Sequence, residues 1–237
     1  MEKQRIDELD IVRGVCILGV LLSHAYYDLT EIAGLSLTIP AFFTVLFEYG
    51  GILFILLSGV CATLGSHSVR RGAAVLGCGL LITAVTLGLR ALTGSQTFLV
   101  QFGILHLLGM CMLLYPLTRR LPSPLLAICA AVLIALGFWF DTLRVGATWL
   151  FPLGLTTTSF FSADYWPLFP NLGYFLLGIL LGRTVYRDRQ PKIPALQGRG
   201  RFLAFCGRHS LPLYLLQQPV IFLLIVLFAS LFGIPLR

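Results

Sequence analysis

Apolar residues fill this chain in seven long runs, and the polar residues collect mostly between them. The runs cover Asp10 to Asp28, Gly50 to Gly65, Gly72 to Leu92, Phe98 to Leu117, Leu125 to Phe140, Pro167 to Arg183 and Leu211 to Phe232. Breakers rich in Pro, Gly or charge close most of them, among them an acidic Pro-containing connection from Glu31 to Glu48, a link from Arg144 to Trp166 and a basic loop ending at Arg208. About 20 apolar residues at about 1.5 Å each cross the roughly 30 Å of a bilayer's hydrocarbon. The pattern therefore predicts an all-α polytopic membrane bundle of about seven transmembrane helices, folded as one integral-membrane domain over residues 1–237.

The first run is the least uniform. It carries Arg13, His24 and Asp28, and ionisable groups on a spanning helix normally face a bundle interior or a wet cavity. His24 and Asp28 stand four apart and so stack on one helical face. A carboxylate beside an imidazole fixes its tautomer and raises its basicity, so the pair has the form of a base and its orienter. The plainer reading leaves both wet at the outer end of the helix.

Composition agrees with the pattern. Of 237 residues 57% are hydrophobic and only 11% charged, against roughly 25% charged in soluble domains. The charged head before the first run is followed by a full-length span without a small-residue cleavage site, so it reads as a retained first helix rather than a signal peptide. The net charge of +7 reports topology before it suggests nucleic acid. In a seven-span frame 14 of the 17 Lys and Arg fall on one side, leaving Arg90, Arg144 and Arg237 on the other. That bias predicts a cytoplasmic N-terminus and a C-terminus outside, in a cell inner (plasma) membrane. The six cysteines are scattered singly through apolar stretches, so neither a metal site nor a disulfide framework is expected. Glycines at 77, 79, 173, 178 and 182 suit close helix contact, the last two as GxxxG.

Counting rise per residue puts His24 about 20 Å from the cytoplasmic face and His106 about 14 Å below the outer one, in a shared layer. Asp28 and Asp164 fall at the outer boundary, Gln217 and Gln218 about 10 Å above the cytoplasmic face, and Arg13 near that face. Together they outline a polar track through the bundle. Each has a plainer role as well: Arg13 snorkelling, His106 packing, Asp164 as an N-cap before Pro167, the glutamines as interhelical hydrogen bonds, Arg208 and His209 as interface anchors.

Five stretches carry a resemblance: RIDELDIVRGVCILGVLLSHAYYDL from Arg5, ILFILLSG from Ile52, FGILHLLG from Phe102, DYWPLFPNLGYFLLGILLGR from Asp164 and GRHSLPLYLLQQPV from Gly207. In this order they resemble the catalytic domain family of heparan-alpha-glucosaminide N-acetyltransferase, in its short bacterial members. The resemblance implies transfer of an acetyl group from cytoplasmic acetyl-CoA to an amine or hydroxyl of an outward-facing sugar or glycan. By it, His24, Asp28, His106 and Asp164 are the candidate catalytic residues, with Arg13, Gln217, Arg208 and His209 toward the acyl donor. His24 acts as base or transient acyl carrier, and His106 stabilises the oxyanion or assists proton transfer. No metal or nucleic acid is implied, and homo-oligomer formation stays open. Two positions depart from the family. There is no histidine between His24 and His67, where long members carry an acetyl-accepting one, and Gln217 stands where YLxHQP has histidine. Gln217 hydrogen-bonds but relays no proton near neutral pH. The rival functions are a transporter or flippase of a small polar or lipid-linked substrate and a catalytically inactive scaffold of the same fold.

Overall fold

A computed structural model of the chain describes residues 5–32 and 34–232, with the side chains of 31, 32, 48, 229 and 232 left aside. Lys3 and Arg237, counted in the charge bias, lie outside the described residues, as do the side chains of Glu31 and Glu48. Eight α-helices follow in order: α1 Asp7–Tyr27, α2 Ala41–Leu64, α3 Ser68–Thr93, α4 Ile104–Thr118, α5 Ser123–Asp141, α6 Leu168–Thr184, α7 Arg201–Arg208 and α8 Ser210–Phe232. Among the described residues there are no β-strands, only the isolated bridges Phe102–Tyr165 and Arg144–Thr156. Each predicted apolar run thus contains a helix, and α7 is an eighth inside the basic loop. Four helices are long and apolar enough to cross a membrane, namely those over Asp7–Thr30, Ser68–Thr93, Ser123–Asp141 and Ser210–Phe228. A fifth is α2 when its two parts, bent by 41° between Phe47 and Tyr49, are counted as one span. α4 and α6, at 15 and 17 residues, are shorter.

The chain divides into two compact units. The first combines Met1–Phe54 with Arg189–Arg237, so α1 folds with α7 and α8 from the far end of the sequence. Backbone contact makes this possible. A Cβ on Gly14 would collide with the carbonyl of Leu203, and one on Gly207 with the carbonyl of Asp10, so the α1–α7 crossing is closer than any larger residue permits. Carboxylates then stitch the basic loop down. Glu8, 2% exposed, accepts the backbone N–H groups of Lys192 and Ile193 at 2.8 and 2.6 Å, and Asp7 accepts that of Gly198 at 2.9 Å. Charge-assisted bonds of this kind are about twice as strong as neutral ones.

The second unit, Ile55–Asp188, packs α3 on α4, α5 on α6, and α6 on the C-terminal part of α2. The GxxxG glycines have the contact role their spacing predicts. Gly178 abuts the carbonyl of Leu56 and Gly182 the side chain of Thr63, while a Cβ on Gly109 would stand only 2.6 Å from the backbone nitrogen of Leu76. Arg183 closes the opposite end of α4, its guanidinium donating to the carbonyls of Leu121 at 2.7 Å and Arg119 at 2.7 Å. Outside the helices, Tyr165 donates its hydroxyl to the Phe151 carbonyl at 2.6 Å, and burial, reinforced by Asp141 against a weaker opposing pull from Arg144, pushes that hydroxyl up to about 12. It stays a donor at any physiological pH and pins the 144–166 link.

Candidate active site

In the first unit α1 ends unusually. At Asp28 the helix widens into a π-helical turn, Asp28–Ile32, with the Thr30 hydroxyl bonded back to the carbonyls of Tyr26 and Tyr27 at 3.0 and 3.1 Å. The facing helix α8 has Pro219 in its interior, which removes one backbone N–H and loosens the turn that presents Gln217 and Gln218. Pro and the π-turn together bring four polar side chains into one cluster.

The cluster has a definite order. Gln218 donates its amide nitrogen to both oxygens of Asp28, at 3.0 and 2.8 Å, and its amide oxygen lies 3.0 Å from His24 Nδ1. The i,i+4 stacking expected of His24 and Asp28 therefore gives no direct hydrogen bond. The Gln218 amide spans the gap, a role its place in the sequence does not announce. Asp28 is 1% exposed, so the carboxylate has these donors in place of water.

That order fixes the imidazole. An ionised Asp28 only accepts, so Gln218 must turn its NH2 to the carboxylate and its carbonyl to the ring. A carbonyl also only accepts, so His24 Nδ1 carries the proton and Nε2 keeps a lone pair. Among the described residues Nε2 has no hydrogen-bond partner, and the imidazole meets the Tyr214 ring edge to face, 6.1 Å between centroids. Gln217, 5% exposed, has its amide nitrogen 3.2 Å from the same Nδ1 and its oxygen buried without a partner. Two donors cannot share one contact. The near-isosteric ends of the amide exchange so that the oxygen shares the Nδ1 proton, which puts the NH2 in the buried position, where no described residue accepts from it. Gln217 then offers a desolvated N–H donor next to His24.

His106 and Asp164 belong to the second unit and are placed by different means. The fourth apolar run predicts helix from Phe98, but residues 98–103 are not helical, and α4 starts at Ile104. The depth counted from Thr97 rests on helical rise throughout and does not hold. Instead residues 99–103 run beside 162–166, with Ala163 N–H donating to Leu99 at 2.7 Å and Trp166 N–H to Phe102 at 2.9 Å. This pairing carries Asp164 to the start of α4, where it accepts the Ile104 N–H at 3.0 Å. Asp164 thus caps α4 rather than its own helix α6, whose N-cap is Pro167.

His106, 3% exposed, has both ring nitrogens occupied. Its Nδ1 accepts the Gly103 N–H at 3.2 Å, so Nε2 carries the proton and donates to the Thr83 hydroxyl at 3.2 Å, which in turn donates to the Val100 carbonyl at 2.8 Å. The ring lies against Phe102 at 5.4 Å and leaves 3.0 Å for a Cβ on Gly79. The remaining expected residues make other contacts. Arg13 and Arg5 share Asp10, at 3.8 and 3.2 Å. Arg208 ends α7 exposed, and the exposed His209 has Nδ1 3.0 Å from the Phe205 carbonyl. No group of three or more His, Cys, Asp or Glu fit to hold a metal occurs among the described residues.

In a helical membrane protein, a carboxylate, two amides and an imidazole gathered between apolar helices are groups of a class that can serve proton or acyl transfer. The sequence narrows that class. The profile of the heparan-alpha-glucosaminide N-acetyltransferase catalytic domain family matches residues 5–219, and this chain belongs to that family. No curated protein and no solved structure matches it.

Proposed function

We propose that the protein is a seven-span acyltransferase, one domain with its N-terminus in the cytoplasm, that moves an acetyl group from cytoplasmic acetyl-CoA to an amine or hydroxyl of an outward-facing sugar or glycan. The observation that carries this reading is the order Asp28, Gln218, His24, which leaves a lone pair on Nε2 within a chain of acetyltransferase family. Nε2 takes the acceptor's proton as the acceptor attacks the thioester carbonyl. The carbon–sulfur bond then breaks and the proton passes to the leaving thiolate, so His24 ends neutral. During the step the imidazolium is stabilised through Gln218 by Asp28. The Gln217 N–H is suited to the carbonyl oxygen as negative charge develops there, a kind of contact worth roughly 10² to 10³ in rate. Arg13 matches coenzyme A phosphates in charge, and Asp164 holds the start of α4 by capping it.

In His106 both nitrogens are engaged, which favours a structural role, holding the start of α4, over proton transfer. The same free nitrogen of His24 also suits a short-lived acyl-His24, formed with loss of the thiolate and resolved by the acceptor. Purified protein in detergent, given acetyl-CoA labelled in the acetyl group and glucosamine as probe acceptor, is expected to move label to the sugar. Label that stays on coenzyme A would point to a carrier, and His24→Ala with undiminished transfer would remove the mechanism.

A further inference from the structure

α7 is unlike the other described helices, because its two faces differ in kind. Ala204, Cys206 and Gly207 are buried, and Leu203 meets α1 at Gly14. On the opposite arc, about 120° wide at 3.6 residues per turn, stand Arg201, Phe202, Phe205, Arg208 and the following His209, all exposed. Phe202 is 68% and Phe205 51% exposed, too much apolar surface for a helix end that only water covers. The crossing with α1 lies at Asp10 to Gly14, the end of a candidate span, and the next residue after His209 begins α8. The helix therefore sits at the level where a spanning helix leaves the hydrocarbon.

We infer that α7 is an interfacial helix whose Phe202 and Phe205 enter the acyl boundary while Arg201 and Arg208 pair with anionic lipid headgroups. Aromatic rings with flanking arginines on a short two-faced helix match that layer in both polarity and charge. The basic segment before it, with Arg187, Arg189, Lys192 and Arg199, extends the same charge. The occupant is a lipid surface rather than a free phosphate, because the phenylalanines on the same arc gain nothing from a soluble anion. This inference stands apart from the chemistry proposed at His24.

The full chain in nanodiscs of phosphatidylcholine and phosphatidylglycerol provides the test. With Phe202→Trp, the fluorescence added over the parent is expected to be quenched by lipid brominated close to the glycerol and spared by lipid brominated near the chain ends. Quenching by neither lipid, or quenching relieved by acetyl-CoA, overturns the inference, the second result assigning the face to the acyl donor. In native mass spectrometry, Arg201→Gln and Arg208→Gln should each lower retention of phosphatidylglycerol relative to phosphatidylcholine, roughly fivefold per arginine. Unchanged retention in the double variant overturns the anionic-lipid assignment even if the tryptophan is quenched.

Discussion

His24 and His106 are held by their δ nitrogens in opposite senses. At His24 a side-chain carbonyl, Gln218, draws a proton onto Nδ1, and at His106 a backbone N–H, Gly103, requires a lone pair there. The consequence travels across each ring. His24 is left with a lone pair on Nε2, whereas His106 spends its Nε2 proton on Thr83 and closes its network. Burial differs in the same direction, since His106 is sealed and His24 only half-buried. The lesson is that an imidazole in an apolar helix takes its role from the chemical type of its first partner. An amide turned by a carboxylate leaves the far nitrogen a lone pair, and a peptide N–H at a helix start leaves it a proton to donate.

The largest effects should separate the two histidines outright. His24→Ala is expected to lower acetyl transfer by about 10² to 10⁴ with little change in melting temperature in detergent, as loss of a general base does. His106→Ala should do the reverse, costing about 1 to 3 kcal/mol of stability because Gly103 and Thr83 lose a buried partner, while activity per folded molecule persists. A stable, inactive His106→Ala would break the comparison.

Next come the orienting groups. Asp28→Asn replaces an acceptor-only group with one that can also donate, so Gln218 and with it the His24 tautomer are no longer dictated; wrong-tautomer variants elsewhere lose up to about 10⁴ in rate. Gln218→Ala should fall short of that and move the pH profile of transfer, a change that a purely structural glutamine would not produce. The α4 start is expected to respond more mildly. Asp164→Ala removes a cap worth about 0.5 to 2 kcal/mol, read as a lowered melting temperature. Smallest of all, Thr83→Val leaves the His106 Nε2 proton without its acceptor, costing on the order of 1 kcal/mol in the same melt and leaving the kinetics of His24 untouched.

Much of this is legible in the residues and some is not. The seven apolar helices follow from the runs because composition and length fix them, and α8 begins within a residue of its expected start. Gln217 and Gln218 beside Pro219 are visible as polar groups in an apolar run, but their pairing with α1 is not, since it joins residues 194 positions apart. The i,i+4 rule correctly puts His24 and Asp28 on one face and says nothing of the amide between them. Asp164 reads as the cap of the helix it precedes; its capture by α4 depends on the chain from 99 to 103 lying beside 162–166, which no local pattern encodes. Only α7 carries a local signal that the pattern of long runs passes over. Arg201, Phe202, Phe205 and Arg208 at i, i+1, i+4 and i+7 form a short two-faced helix, masked by the charge of the loop around it.

The reach of 194 residues between His24 and Gln218 has a bearing on synthesis. His24 and Asp28 leave the ribosome early and wait through the insertion of every intervening helix before the amides that order them exist. Until α8 arrives, the Asp28 carboxylate lacks its donors and the imidazole lacks a defined proton. A nascent chain interrupted before that point carries His24 and Asp28 without the amides that order them, so the chemistry proposed for the pair waits for α8.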